Sequence, residues 1–325
     1  MRAIRPPRGN GDRDRRAPTR APGTPTIDPA GSWSGRRIPA GAWPGIARTA
    51  PASPYGWRRP DSWTGSRAPD PRPQEAEMKI VVVGGTGLIG SRLVEELRAR
   101  GHEAVPASPS SGVDALTGEG LPDALAGADA VADVSKGRSF EADAAMRFFT
   151  TVTRNLLAAE RDAGVRHHVA LSIVGVDRVP GSGHYRAKVA QEKLVEESGT
   201  PYTIVRATQF FEFIRTIAEA AADRGGIRLP PALVQPVAAA DVVAAVADVV
   251  TGPPVGGIVE VAGPQAYPLD ELARTALAAW GDQRTVYTDP HARYFGAELG
   301  ERALVPEEGR ARLGGTPFAR WLRPG

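Results

Sequence analysis

The chain has 325 residues, a formal net charge of +3, 42% hydrophobic residues and no cysteine. The last 248 residues suffice for one large α/β domain, while the missing cysteine excludes disulfides and thiol chemistry and fits a reducing cytoplasm. No stretch approaches the ~18 uninterrupted apolar residues of a membrane span, so a membrane-embedded role is not expected.

The charge is unevenly divided. Residues 1–77 hold 14 Arg, no Lys, 14 Pro and 7 acids, with four of the six Trp. Residues 78–325 hold 26 basic and 30 acidic residues, so the first segment is net +7 and the rest net −4. The high isoelectric point therefore belongs to the first 77 residues and does not mark the chain as a nucleic-acid binder. Pro and Gly recur every few positions there without any apolar period, which predicts a disordered tail. Its spaced Trp33, Trp43, Trp57 and Trp63 could stack on nucleic-acid bases. "SWSG", "AWPG" and "SWTG" are too short for a structural repeat, and Arg15-Arg16 lacks the apolar run of a secretory signal. The favoured reading is that the true start lies at Met78, with the stretch before it a mis-assigned or vestigial start, and no nucleic-acid partner is expected.

From Met78 the elements follow in alternation. "KIVVV" (79–83) is a buried strand, and Leu88, Ile89, Leu93, Val94 and Leu97 recur at helical spacing until Gly101. "HEAVPAS" is a second strand, a short helix lies around Leu121–Leu125, and "ADAVADV" (128–134) is a third strand. Phe140 to Ala163 is a long helix, 167–176 a strand, Tyr185–Glu197 a helix and 201–207 a strand. Further on come a helix capped by Asp241, a strand in "GGIVEVAG" and a helix starting near Asp270. Strands alternating with helices predict a doubly wound parallel sheet with right-handed crossovers. His167 and His168 point to opposite faces of their strand, and no His/Asp/Glu cluster has metal-ligand spacing.

Gly84, Gly87 and Gly90 stand as G-x-x-G-x-x-G between the first strand and the first helix. The first permits a tight turn, the second lets a pyrophosphate approach the backbone and the third lets the helix pack close. Thr86, Leu88 and Ile89 share that turn and complete the expected dinucleotide cradle. An acid that would hold a ribose 2′-hydroxyl is expected about 20 residues further on. Ser108, Ser110 and Ser111 stand there instead, which favours NADP over NAD, although no Arg is present to grip the phosphate. Asp114 could reach an adenine edge or serve as a turn residue.

The stretches "VVVGGTGLIG", "YRAKVAQEKLVEESGTPYTIVRATQFFEF", "VQPVAAADVV" and "EVAGPQAYPLDELA" resemble the short-chain dehydrogenase/reductase superfamily, in particular its atypical, NmrA-like NAD(P)-binding branch. The resemblance covers roughly residues 78–325. It implies a Rossmann-type fold with a nucleotide across the first half and a small C-terminal part, mainly 208–235 and 263–325, forming the substrate pocket. Residue by residue it places Ser135 near the cofactor ribose, Ser172 on the acceptor oxygen and Lys188 on the nicotinamide ribose. Thr208, Gln209 and Phe210 come beside the nicotinamide.

The proton-transfer pair of such enzymes is Tyr-x-x-x-Lys, on one helix face, where the lysine charge favours the phenolate. Here "HYRAK" puts His184 four residues before Lys188 and Tyr185 three before. Three readings stay open: Tyr185 is the acid with shifted geometry, His184 replaces it, or neither acts. Lys188 could also simply pair with Glu192, four residues on. Phe210, Phe211 and Phe213 read as core or pocket wall, and "TDPHARYF", with His291, Arg293 and Tyr294, as a surface loop or a cover over the pocket. The expectation is a cytoplasmic NAD(P)H-dependent oxidoreductase reducing a small carbonyl or quinone-like acceptor. The alternative is an NAD(P)-sensing regulator of a protein partner without turnover. A sugar-nucleotide epimerase fits less well, because it too wants tyrosine at spacing four.

Overall fold

The structure is a computed structural model and describes residues 77–137 and 139–323. The predicted disordered tail lies outside the described residues, save for its last residue. The Lys79–Val83 run forms strand β1, and α1 follows at Leu88–Ala99, β2 at Glu103–Ala107, α2 at Leu121–Leu125 and β3 at Ala130–Asp133. Then come α3 (Ala142–Ala163), β4 (His167–Ile173), α4 (Gly183–Glu196) and β5 (Tyr202–Ala207). The C-terminal part adds α5 (Ile214–Ala220), β6 (Ala222–Asp223), β7 (Gly226–Leu229), β8 (Leu233–Val234) and α6 (Ala239–Thr251). It ends with β9 (Gly257–Ala262), β10 (Tyr267–Pro268), α7 (Leu269–Ala279), β11 (Val286–Thr288), β12 (Arg312–Leu313) and α8 (Phe318–Trp321).

Seven strands form one parallel sheet in the order β12-β9-β5-β4-β3-β1-β2. Alternation along β1 explains its two-sided burial. Ile80 and Val82 join α1 and α6 in one core, whereas Val81 and Val83 face α2 and α3 in another. The Rossmann-type doubly wound fold is thus the one the strand–helix alternation predicts. A third core gathers Phe211, Ile214, Ile227, Leu229, Leu272 and Phe318 from the small C-terminal part.

The chain leaves β1 for β2 on one side and returns through β3 on the other. That reversal opens a crevice beyond the carboxyl ends of β1 and β3, where ligands bind in open α/β sheets. One local expectation needs correcting. Asp241 does not cap α6, which begins two residues earlier; the Ala239 N–H donates to Glu212 Oε2 at 3.1 Å instead. Asp241 lies in the first turn and accepts from the Thr316 N–H at 3.0 Å and hydroxyl at 3.2 Å, tying the C-terminal segment to the helix.

Candidate functional site

The turn after β1 fulfils three different steric demands. Gly84 has φ +79°, and a Cβ there would lie 2.9 Å from the Ser135 Cα. A Cβ on Gly90 would sit 2.1 Å from the Gly84 carbonyl oxygen, so only glycine lets α1 start this close to the strand. Gly87 differs: its Cβ would meet nothing but the Gly84 oxygen, at 3.3 Å. Packing inside the protein therefore does not require glycine at 87, and its bare side faces the crevice. Gly87 is the N-cap of α1, with no side-chain cap and no acid in the first turn, so the free N–H groups and the positive helix end are left for an anion.

A cavity of about 480 Å³ opens at this turn. Of the residues singled out in the sequence, Gly84, Thr86, Gly87, Leu88, Ile89, Ser108, Ser135, Ser172, His184, Tyr185, Lys188, Thr208, Gln209 and Phe210 line it. Gly90 lies beneath the turn. Ser110 and Ser111 stay outside the lining: the Ser111 hydroxyl donates to Pro106 O and approaches Ser108 O, both at 2.9 Å, and Ser110 Oγ is 3.0 Å from Ser108 Oγ. Asp114 lines a smaller cavity shared with Ser108 and Lys136, and its Oδ1 accepts from the Leu116 N–H at 2.8 Å as a turn residue does. His291 and Arg293 are exposed and outside both linings, but Tyr294 and Phe295 reach the larger one.

Lys188 is held inside. Its Nζ donates to Leu171 O at 2.7 Å and to Gln191 Oε1, while Gln191 Nε2 donates to Asp133 Oδ2 at 2.8 Å. The other Asp133 oxygen accepts from the Ser135 N–H at 2.9 Å. Burial pulls the ammonium pKa down to about 8, against the opposing charges of Asp133 and Glu192. Glu192 is not its hydrogen-bond partner, because Arg206 grips that carboxylate with Nε at 2.9 Å and Nη2 at 2.6 Å. Sequence reasoning missed Asp133 and Gln191. Gln191 had a signal, since a spacing of three puts it beside Lys188 on α4.

Tyr185 and His184 have different surroundings. Tyr185 packs into the C-terminal core, its hydroxyl accepting from Gln209 Nε2 at 3.5 Å and its ring meeting Tyr294 edge-on with centroids 6.5 Å apart. Burial pushes its pKa up to about 12, and Lys188 is not among the groups that hold it down. His184 sits among Phe140, Phe149 and Tyr185, with ring centroids at 5.1, 5.5 and 6.4 Å. Burial and then the Lys188 charge lower its pKa to about 4, so the imidazole is neutral near pH 7. Among the described residues nine buried side-chain polar atoms lack a hydrogen-bond partner, and four of them, Ser135 Oγ, Ser172 Oγ, His184 Nδ1 and Gln209 Oε1, belong to residues that line this cavity. Thr208 differs, since its hydroxyl donates to Gln235 O at 2.6 Å. The remaining wall, from Phe140, Phe149, Phe213, Tyr294 and Phe295, was not legible as a unit, because these aromatics come from distant segments.

Neither strand histidine faces the cavity. His167 Nε2 lies 2.9 Å from Thr203 Oγ1, and His168 Nδ1 lies 2.8 Å from Glu160 Oε1. No helix among the described residues is long and apolar enough to cross a membrane.

Comparison with known proteins agrees with this geometry. Residues 84–253, more than half of the chain, match the family described as NAD(P)H-binding. The chain is 27% identical over 149 residues to Photosystem II assembly factor Ycf39 of Synechocystis sp., covering 42% of this chain and 46% of that protein. It is 30% identical over 177 residues to the chloroplastic divinyl chlorophyllide a 8-vinyl-reductase of Cucumis sativus, covering 45% of this chain and 41% of that protein. The chain thus spans less than half the length of these curated relatives. A solved NADPH-dependent quinone oxidoreductase of Escherichia coli superposes with a TM-score of 0.54 at 20% identity, over 75% of this chain and 98% of that one, a likeness of fold. The chain belongs to the NAD(P)H-binding family, and its fold is that of the solved quinone oxidoreductase.

Proposed function

We propose, with that family membership as the premise, that this chain is an NAD(P)H-dependent oxidoreductase that passes hydride to a small carbonyl or quinone-like acceptor. The observation that carries this reading is the group of four unpartnered buried polar atoms on one cavity beside the glycine turn. Interiors satisfy nearly all their buried polar groups, so a cluster of orphans around one space fits a site built for a polar ligand.

The donor set fits a dinucleotide. When bound, a reduced nicotinamide supplies a hydride, and one proton from solvent completes the two-electron reduction of the acceptor. Gly84, Thr86 and Gly87, with the N–H groups of Leu88 and Ile89, receive the pyrophosphate at the start of α1. Ser135 and Lys188 hold the ribose on the nicotinamide side, and Asp133 and Gln191 fix the lysine. Ser172 holds the acceptor oxygen. NADPH is the preferred form: Ser108 stands where an acid would repel a 2′-phosphate, and the exposed Lys136 lines the same end.

His184, rather than Tyr185, orients the acceptor oxygen beside Ser172 by a hydrogen bond from its neutral imidazole, while the proton comes from solvent. His184 lies one turn before Lys188, whereas the Tyr185 phenol is buried in the C-terminal core and accepts from Gln209. Steady-state kinetics with NADPH and simple quinones or aldehydes test this. Tyr185→Phe is expected to keep kcat within about threefold, while His184→Phe lowers it about 10²-fold or more. Turnover is expected to fall as pH rises through about 8, because Lys188 then loses its charge. Collapse of kcat in Tyr185→Phe would restore the shifted-tyrosine reading.

The buried, engaged tyrosine also favours a second reading, in which the chain senses NAD(P)H and regulates a protein partner. Tight NADPH binding without oxidation by any tested acceptor supports that reading over the first.

A further inference from the structure

We infer that Phe295 is a specificity-determining residue whose ring, with those of Phe140 and Phe213, selects a flat, uncharged, conjugated-ring acceptor. The inference rests on the oxidoreductase reading and narrows its substrate class.

The first observation is backbone strain. Tyr294 and Ala297 exchange two backbone hydrogen bonds, at 2.7 and 3.1 Å, closing a two-residue turn. Its central residues are Phe295 at φ +45° and Gly296 at φ +87°. Turns with positive φ at both central positions are the ones that Asn-Gly or Gly-Gly fits. Among the described residues Phe295 is the one non-glycine with positive φ. A bulky side chain in that region is a backbone outlier, and such outliers gather where function needs the side chain.

The second observation is where the ring lies. It stacks on Phe213 with centroids 5.9 Å apart and planes 23° from parallel, and it meets Phe140 at 5.1 Å. Tyr294 meets it edge-on at 4.8 Å. All four rings line the cavity, and Phe140 is 40% exposed. Ring faces of this kind receive another flat ring by offset stacking.

The third observation is charge. Among the described residues the charged groups lining the cavity are Lys136, Lys188 and Glu212. Lys136 belongs to the Ser108 end, and the Lys188 ammonium gives two of its three N–H groups to Leu171 O and Gln191, leaving one for the cofactor ribose. Among the described lining residues an anionic acceptor beside the aromatic wall finds no free cation, and Glu212 is itself tied to the Ala239 N–H at 3.1 Å and to Arg92 at 3.8 Å. Ser172 Oγ and Gln209 Oε1 remain unpartnered there, enough to orient a carbonyl on a neutral ring.

The test compares the parent with Phe295→Gly and Phe295→Tyr, using menadione as a two-ring quinone and propanal as an aliphatic carbonyl. Glycine relieves the turn, so the melting temperature is expected to rise by ~2–4 °C. NADPH affinity stays within about twofold, while KM for menadione rises about tenfold at little-changed kcat and KM for propanal hardly moves. Phe295→Tyr keeps the ring and restores the menadione KM. A lower melting temperature for Phe295→Gly, or equal changes in KM for the two acceptors, overturns the inference and leaves Phe295 as packing. Calorimetric titration of menadione into the NADP-loaded protein separates the two claims. Menadione binding that depends on Phe295 without turnover overturns the oxidoreductase reading alone, and no menadione binding overturns the wall.

Discussion

Alanine at Gly87 is expected to weaken NADPH binding at least about tenfold, or ~1.4 kcal/mol, while the fold loses no more than ~1 kcal/mol. Alanine at Gly90, three residues on, is expected to cost several times more stability and to abolish binding along with folding. The contrast follows from what each added methyl group meets. At Gly90 it lies 2.1 Å from the Gly84 carbonyl oxygen and 2.7 Å from the Gly85 Cα, rigid backbone atoms of the same turn. At Gly87 it meets one carbonyl oxygen at 3.3 Å, with backbone φ −80° that any residue adopts. The second glycine is thus kept for the ligand and the third for the fold. Calorimetric titration with NADPH and thermal unfolding of the two variants provide the check. Unchanged affinity in Gly87→Ala would place the pyrophosphate elsewhere.

The second large effect concerns the scaffold under the site. Glu160 on α3 and His168 on β4 form a fully buried pair, with His168 Nδ1 2.8 and 3.0 Å from the two carboxylate oxygens. Burial alone would depress the histidine pKa, but the carboxylate charge and its hydrogen bond raise it. Removing one partner of such a pair strands the other, so Glu160→Gln is expected to lose about 3–5 kcal/mol near pH 6. A histidine whose folded pKa lies above its unfolded value adds stability that is full below about pH 6.5 and is lost as pH rises through the folded value. Without the carboxylate, burial favours neutral His168 and the sign reverses. The deficit of Glu160→Gln is therefore expected to grow as pH falls from about 8 to 5, measured by urea unfolding at each pH. A deficit independent of pH would mean that the buried histidine is neutral in the parent. The pair fixes α3, which carries Phe149, against β4, which carries Ser172, so its loss also loosens the cavity wall.

How much of this was legible follows from how local each signal is. The strand, turn and helix from Lys79 to Ala99 could be read directly, because an apolar run, three glycines and helical spacing coincide within about twenty residues. The alternation through Ala207 was legible for the same reason. The start of α6 was misread because Asp241 looks like a cap, yet the cap is Glu212, a residue from another segment. The gathering of Ser172, His184 and Lys188 on one cavity was carried by resemblance to a family, since nothing in their spacing places a strand end beside a helix. The aromatic wall was legible only in part: Phe213 and the Tyr294 stretch read as pocket elements, but their meeting with Phe140 could not be read. Phe140, Phe213 and Phe295 meet only after the sheet closes, and "YFGA" carries no Asn-Gly or Asp-Gly signature of a primed turn. The network from Asp133 through Gln191 to Lys188 joins a strand end to a helix and was legible only in its Gln191–Lys188 half.

The most direct test is a single-turnover experiment. The full chain, loaded with one equivalent of NADPH, is mixed with excess menadione while the reduced-nicotinamide absorbance is followed, with C4-deuterated NADPH in parallel. Stoichiometric loss of the absorbance is expected, slower for the deuterated nucleotide because the hydride bond breaks in the observed step. NADPH that stays bound and unoxidised in the presence of menadione would contradict the oxidoreductase reading and leave the sensor reading in its place.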